Sequence, residues 1–232
     1  MEQSLAMAGV AQADGIGCMV ATPHSVDWPA SREDVRRSVE ELNQAVRLAS
    51  LSVVILPGIE AYMAPDLPAQ VRAGAVFPLA DSVCVLVELP AGAYPLYTEQ
   101  VIFELQVMGL SIVLAHPERN AVLQEAPDKL IPLVQRGVLV QLTAGSLVGD
   151  FGPAAERTAE SLLERNLAHL IASDAHDACY RTPRLSEAVE IAADIAGRPR
   201  ALAMVTDAPR AVLNNERVEL PAPARKKRFW TW

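Results

Sequence analysis

Cysteine is scarce. Cys18, Cys84 and Cys179 are the three in 232 residues, and they lie far apart. Such a set provides no disulfide framework and suits a reducing compartment. Long apolar runs are missing too, and none reaches the roughly 18 residues of a membrane-spanning helix. The start, MEQSLAMAG, has neither a positively charged segment nor a long apolar core, so no secretory signal is expected and the expected location is cytoplasmic. Positive charge is in short supply, with 20 Lys and Arg against 28 Asp and Glu and a formal net charge of −8. A chain this acidic is a poor non-specific ligand for nucleic acid, so no such partner is expected.

Several catalytic signatures are also absent. A cysteine phosphatase needs an Arg six positions after its Cys, in one phosphate-cradling loop; here those positions hold His24, Pro90 and Leu185. There is no G-x-x-x-x-G-K-[ST] loop, no G-x-S-x-G elbow, and the GIG at 15–17 does not extend to G-x-G-x-x-G.

What is present is an alternation of β-branched runs with helical patterns. The strand candidates are 18–24, 53–60, 83–90, 111–119, 138–145 and 168–176, most of them nearly continuous apolar runs of the kind a parallel sheet covers on both faces. Helices fit between them. Ser31 with Asp34 forms a capping-box pattern for 31–49, and Val35, Val39, Leu42 and Val46 recur at helical spacing. The patterns at 98–109 and 127–137 close on Gly109 and Gly137, and 153–166 opens on Pro153 and closes on Asn166. Further helices are expected at 184–197 and 206–215. The repeat has the size of a βα unit, which predicts one α/β domain over 1–215, closed as a barrel or open as a doubly wound sheet.

The ends of these strands carry the chemistry. Five of the six finish in ionisable residues: His24; Glu60; Glu88; His116; and the pair Asp174 and His176. Only VLVQLTAG lacks one. Three of the four histidines stand at such ends, the exception being His169 at a strand start. Carboxylates at the mouths of apolar strands are costly to bury unpaired. Parallel strands in a barrel bring these ends to one face, and metal ions would offset their charge. A mixed His, Asp and Glu set suits manganese, zinc or iron. Arg119 and Arg181, close behind His116 and His176, have the guanidinium geometry that grips phosphate oxygens in pairs. Glu118 reads as a solvated loop residue.

ATPH, LPGIE, LVELP, FELQVMG, LAHPERN, VLVQLTAGSLVGDFG and LIASDAH, in this order, resemble the metal-dependent protein-tyrosine phosphatases of the PHP (polymerase and histidinol phosphatase) superfamily, which serve bacterial capsule and exopolysaccharide synthesis. The resemblance covers about residues 1–215. It implies a distorted seven-stranded β/α barrel of the PHP type with up to three metals, commonly Mn2+. It also implies hydrolysis of phosphotyrosine on a membrane-associated tyrosine autokinase. By motif, His24, Glu60, Glu88, His116, Asp174 and His176 match metal ligands, Glu88 as a bridge, and Arg119 and Arg181 match phosphate-binding residues; activated water replaces a cysteine nucleophile. The family's first strand, with a His-x-His pair and then an acidic residue, has no counterpart in this sequence, which opens at what reads as the helix after it: either the start is assigned too late, the favoured reading, or the first strand is lost. Six strands and fewer bound metals are therefore expected. A PHP phosphatase for a small phosphoester such as histidinol phosphate, or a non-catalytic kinase-binding relative, stays open as an alternative. The tail at 216–232 sets Arg225, Lys226, Lys227 and Arg228 beside Phe229, Trp230 and Trp232, a composition that can touch an anionic membrane surface.

Overall fold

The computed structural model describes residues 1–26, 31–219 and 221–223; the basic and aromatic part of the tail lies outside them. In chain order the elements are α1 (Glu2–Ala13), β1 (Cys18–Ala21), α2 (Arg32–Leu48), β2 (Val54–Pro57), β3 (Glu60–Tyr62), α3 (Leu67–Arg72), β4 (Cys84–Glu88), α4 (Thr98–Val107), β5 (Ser111–Ala115), α5 (Ala121–Glu125), α6 (Ile131–Gln135), β6 (Leu139–Thr143), α7 (Ala144–Leu147), α8 (Pro153–Glu164), β7 (Leu170–Ala172), α9 (Ser186–Ala196), α10 (Arg198–Ala203) and α11 (Asp207–Leu213).

Every strand pairing is parallel. β1 pairs with β2, and β3 to β7 form a second sheet in chain order. A parallel bridge between His24 and Glu60 joins the two. A doubly wound sheet would reverse its strand order at a switch point; here neighbours follow the chain without reversal. The result is a parallel arc, and among the described residues β7 and β1 do not pair to close it.

All six expected strands form, but the second is divided. Its body (β2) pairs with β1, and its last residue, Glu60, opens a new strand (β3) that pairs with β4 and bridges to residue 24. The change of partner falls at Gly58, where a Cβ would lie 2.8 Å from Cγ1 of Val20 and 2.9 Å from Cδ2 of Leu79. Only glycine lets the backbone pass that close.

The continuous apolar runs are explained by burial on both sides. Val85, Val87, Ile112, Leu114, Val140 and Leu142 belong to the main core under the helices. Their alternates Cys84, Leu86, Val113, Ala115 and Leu139 form a second cluster with Leu79, Leu170, Ala208 and Val212. Glu60 is in register with Leu86, and Glu88 follows Leu86 by two residues, so both carboxylates project on this second face.

The helix signals hold where local chemistry decides. Ser31 and Asp34 form the reciprocal capping box, and Val35, Val39 and Val46 are buried along α2. α4 and α6 stop shortly before Gly109 and Gly137, at φ 82° and 87°. One expectation needs correction. Residues 127–137 are two pieces, a 3-10 turn over Pro127–Leu130 and then α6, because Pro132 donates no N–H and fits only the first turn of a new helix. No described helix is long and apolar enough to cross a membrane.

Candidate metal and phosphate site

Register puts the strand ends at one level. Tyr62 is opposite Glu88, Glu88 opposite Ala115, and Ala115 opposite Gln141. The backbone then fixes each donor. Glu60 N–H donates to Pro23 O and Ser25 N–H to Glu60 O; Met63 N–H donates to Glu88 O, and His116 N–H to Gln141 O.

Four of the expected ligands meet there. Glu60, 5% exposed, lies 3.2 Å from Nε2 of His24 through Oε2 and 3.1 Å from Nε2 of His116 through Oε1. Glu88 Oε1 is 3.8 Å from the same His116 nitrogen. One donor atom from each of His24, Glu60 and Glu88 lies within 4.8 Å of the others, close to the spacing one transition-metal ion imposes. Burial and the charge of Glu60 push the Glu88 carboxyl up. Burial alone would lower His116, but the hydrogen bond and charge of Glu60 outweigh it and raise the imidazole. Two crowded carboxylates with two imidazoles therefore fit a divalent cation, and the oxygen and nitrogen donors suit manganese, iron or zinc.

Asp174, His176, Arg119 and Arg181 form a second group. Asp174 Oδ2 accepts from Nη1 of Arg119 at 2.6 Å and also from Nη2 of Arg181, whose Nη2 donates to the Asp174 carbonyl as well. Nδ1 of His176 is 3.0 Å from the Asp174 carbonyl. The rings of His24 and His176, 6.0 Å apart, connect the groups. Asp174 is thus held by the two arginines and is not in the compact His24–Glu60–Glu88 set. Asp177 builds the turn that presents Arg181, accepting from the N–H groups of Cys179, Tyr180 and Arg181. His116 and Asp174 have φ of 31° and 50°, left-handed values that cost a non-glycine residue about 1–3 kcal/mol each and that gather at functional sites.

A family model for capsular polysaccharide synthesis proteins, CpsB/CapC, matches residues 1–214. The chain belongs to the CpsB/CapC family. It is similar to the tyrosine-protein phosphatase YwqE of Bacillus subtilis (strain 168), with 31% identity over 231 residues, 98% of this chain and 91% of that protein. It is similar to the putative tyrosine-protein phosphatase CapC of Staphylococcus aureus, with 31% identity over 224 residues, 95% of this chain and 88% of that one. The tyrosine-protein phosphatase CpsB of Streptococcus pneumoniae is 22% identical over 222 residues, 93% of this chain and 91% of that one. The fold matches a crystal structure from work on YwqE and CpsB, described as unique metal-dependent tyrosine phosphatases, with a TM-score of 0.92 and 31% identity over 98% of this chain and 92% of that one.

Two residues of this CpsB/CapC chain escape a reading of its sequence. Glu118 is not a solvated loop residue but fully buried. Its Oε1 accepts from Thr143 N–H at 2.9 Å and from Ser146 Oγ at 2.7 Å, at the start of α7, and burial pushes its carboxyl up. The strand end without an ionisable residue is therefore where Glu118 docks. Phe151 is the other: the Arg119 guanidinium carbon stands 4.2 Å from its ring centroid and that of Arg181 5.5 Å. Neither could be assigned from spacing, because each acts on elements distant in the chain. His169, the histidine set apart, is a core residue. Its Nδ1 accepts from Val140 N–H at 2.9 Å, and burial, with the charge of Arg200, lowers it to about 4.

Proposed function

We propose that this chain is a metal-dependent protein-tyrosine phosphatase of capsule or exopolysaccharide synthesis, with manganese as its metal. The observation that carries the reading is the convergence of His24, Glu60, Glu88 and His116 beside the Arg119–Asp174–Arg181 group. The first four would hold the cation, with Asp174 and His176 completing the set. When bound, a divalent cation lowers the pKa of water and offsets phosphate charge.

The chain's own residues do the rest. Arg119 and Arg181 bind the phosphate oxygens and orient the ester, and Asp174 keeps the two guanidiniums together. A cysteine nucleophile is disfavoured: Cys84 is buried and its thiol pushed up to about 12, and burial also raises Cys18. In this reading the parallel arc is the wall of a distorted PHP barrel over 1–215. The substrate is phosphotyrosine on a membrane-associated tyrosine autokinase, met in the cytoplasm.

The test is turnover of a phosphotyrosine peptide, a phosphoserine peptide and histidinol phosphate, each with Mn2+ and with a chelator. Manganese-dependent preference for phosphotyrosine is expected. Preference for histidinol phosphate selects a small-molecule phosphatase, and tight phosphopeptide binding without turnover selects a non-catalytic kinase-binding protein.

A further inference from the structure

We infer that Phe151 is a positioning residue whose ring holds Arg119 and Arg181 together as one phosphate clamp. This rests on the phosphate-binding role proposed for the two arginines.

The guanidiniums come from two different strand ends, after β5 and after β7, and as like charges they repel. One aromatic ring serves both, at 4.2 Å and 5.5 Å from its centroid. Both distances lie within the range in which a ring face attracts a cation. The half-buried ring belongs to neither arginine's segment; it sits on the loop between α7 and α8. Asp174 also bridges the arginines, but it is itself a proposed metal ligand. The ring supports them without drawing on that carboxylate.

The position of Phe151 is built in. Gly145, in the first turn of α7, has no Cβ; one there would lie 2.8 Å from Cε2 of Phe151. Asp150 N–H donates to Gly145 O at 2.8 Å and closes the loop that carries the ring. α7 is in turn tied to Glu118 through Thr143 N–H and Ser146 Oγ. Glu118 is the chain neighbour of Arg119, so one connected unit fixes both the backbone of Arg119 and the surface its guanidinium lies on.

The test compares wild type with Phe151→Leu, which keeps an apolar side chain but no ring face, and with Phe151→Tyr, which keeps the ring. Binding of inorganic phosphate to the manganese-loaded protein is measured by calorimetry, alongside KM and kcat for a phosphotyrosine peptide, bound manganese and melting temperature. Phe151→Leu is expected to weaken phosphate binding and raise KM about tenfold each, with a smaller change in kcat, as for a cation–π contact of ordinary strength. Bound manganese is expected to stay at the wild-type value, the melting temperature to fall by only about 2–4 °C, as for a loss of roughly 1 kcal/mol of contact, and Phe151→Tyr to restore phosphate binding. Should Phe151→Leu fail to fold, the same comparison is read on Phe151→Met. Wild-type phosphate affinity in the ring-less variant overturns the inference while leaving the phosphatase reading intact. A wild type that binds phosphate but hydrolyses no ester overturns the phosphatase reading alone, and one that neither binds nor hydrolyses overturns both.

Discussion

Glu60 stands between two imidazoles, 3.2 Å from Nε2 of His24 through one oxygen and 3.1 Å from Nε2 of His116 through the other. It is the most buried of the converging donors, and the bridge to residue 24 fixes its backbone at the junction of the two sheets. Replacing it by glutamine keeps the shape and removes the charge. Glu60→Gln is expected to lower manganese affinity at least ~10-fold, and kcat by about 100-fold or more, as befits the loss of several kcal/mol of metal-derived stabilisation. Metal content after dialysis and peptide turnover check this.

Arg119→Lys and Arg181→Lys keep the charge but lose the planar fork and its fit to phosphate. Each is expected to lower kcat/KM about 10- to 100-fold, with much of the loss in KM. Steady-state kinetics with a phosphotyrosine peptide measures it. Wild-type KM in both variants would remove the arginines from phosphate binding.

Much of this was legible in the sequence because it is local. Apolar runs of strand length, Ser31 with Asp34, and glycines after helices report on their own neighbourhoods, and the strands, the α2 cap and the ends of α4 and α6 follow from them. That His24, Glu60, Glu88 and His116 come together was legible for a related reason: charged residues closing apolar runs are costly unless they find partners. The break at Gly58 was hidden because nothing in VVILPGIE says that its strand stops at Pro57 and that Glu60 opens another with a different partner. Glu118 was misread because its partners, Thr143 N–H and Ser146 Oγ, come from another β-α unit. In LAHPERN alone, a glutamate among polar residues has no visible reason to be buried.

Gly58→Ala tests the junction between β2 and β3. A methyl group there meets Val20 and Leu79 at 2.8 and 2.9 Å. The overpacking is expected to cost about 1–3 kcal/mol, read as a lower urea midpoint at unchanged slope. Unchanged stability would mean that the two sheets can separate at this point without loss.

His169 makes stability depend on pH. Folded, it titrates at about 4, below its ordinary 6.5. Between those values the unfolded chain binds a proton that the folded chain does not, so stability rises with pH. The contribution is fully present above pH 6.5 and is lost as pH falls towards 4, up to about 3 kcal/mol. His169→Asn keeps an acceptor for Val140 N–H and does not titrate. The stability advantage of wild type over this variant is expected to shrink by about 2–3 kcal/mol between pH 7 and 4.5 in urea titrations. A difference independent of pH would contradict the assignment.

The most direct measurement is hydrolysis of a phosphotyrosine peptide by the wild-type chain and by Glu60→Gln, each stripped of metal and then titrated with Mn2+. The account predicts saturable, manganese-dependent turnover in the wild type, abolished by chelator, and little turnover in Glu60→Gln at the same manganese concentration. Equal turnover by the two proteins, or turnover by the wild type that survives complete removal of metal, would contradict it.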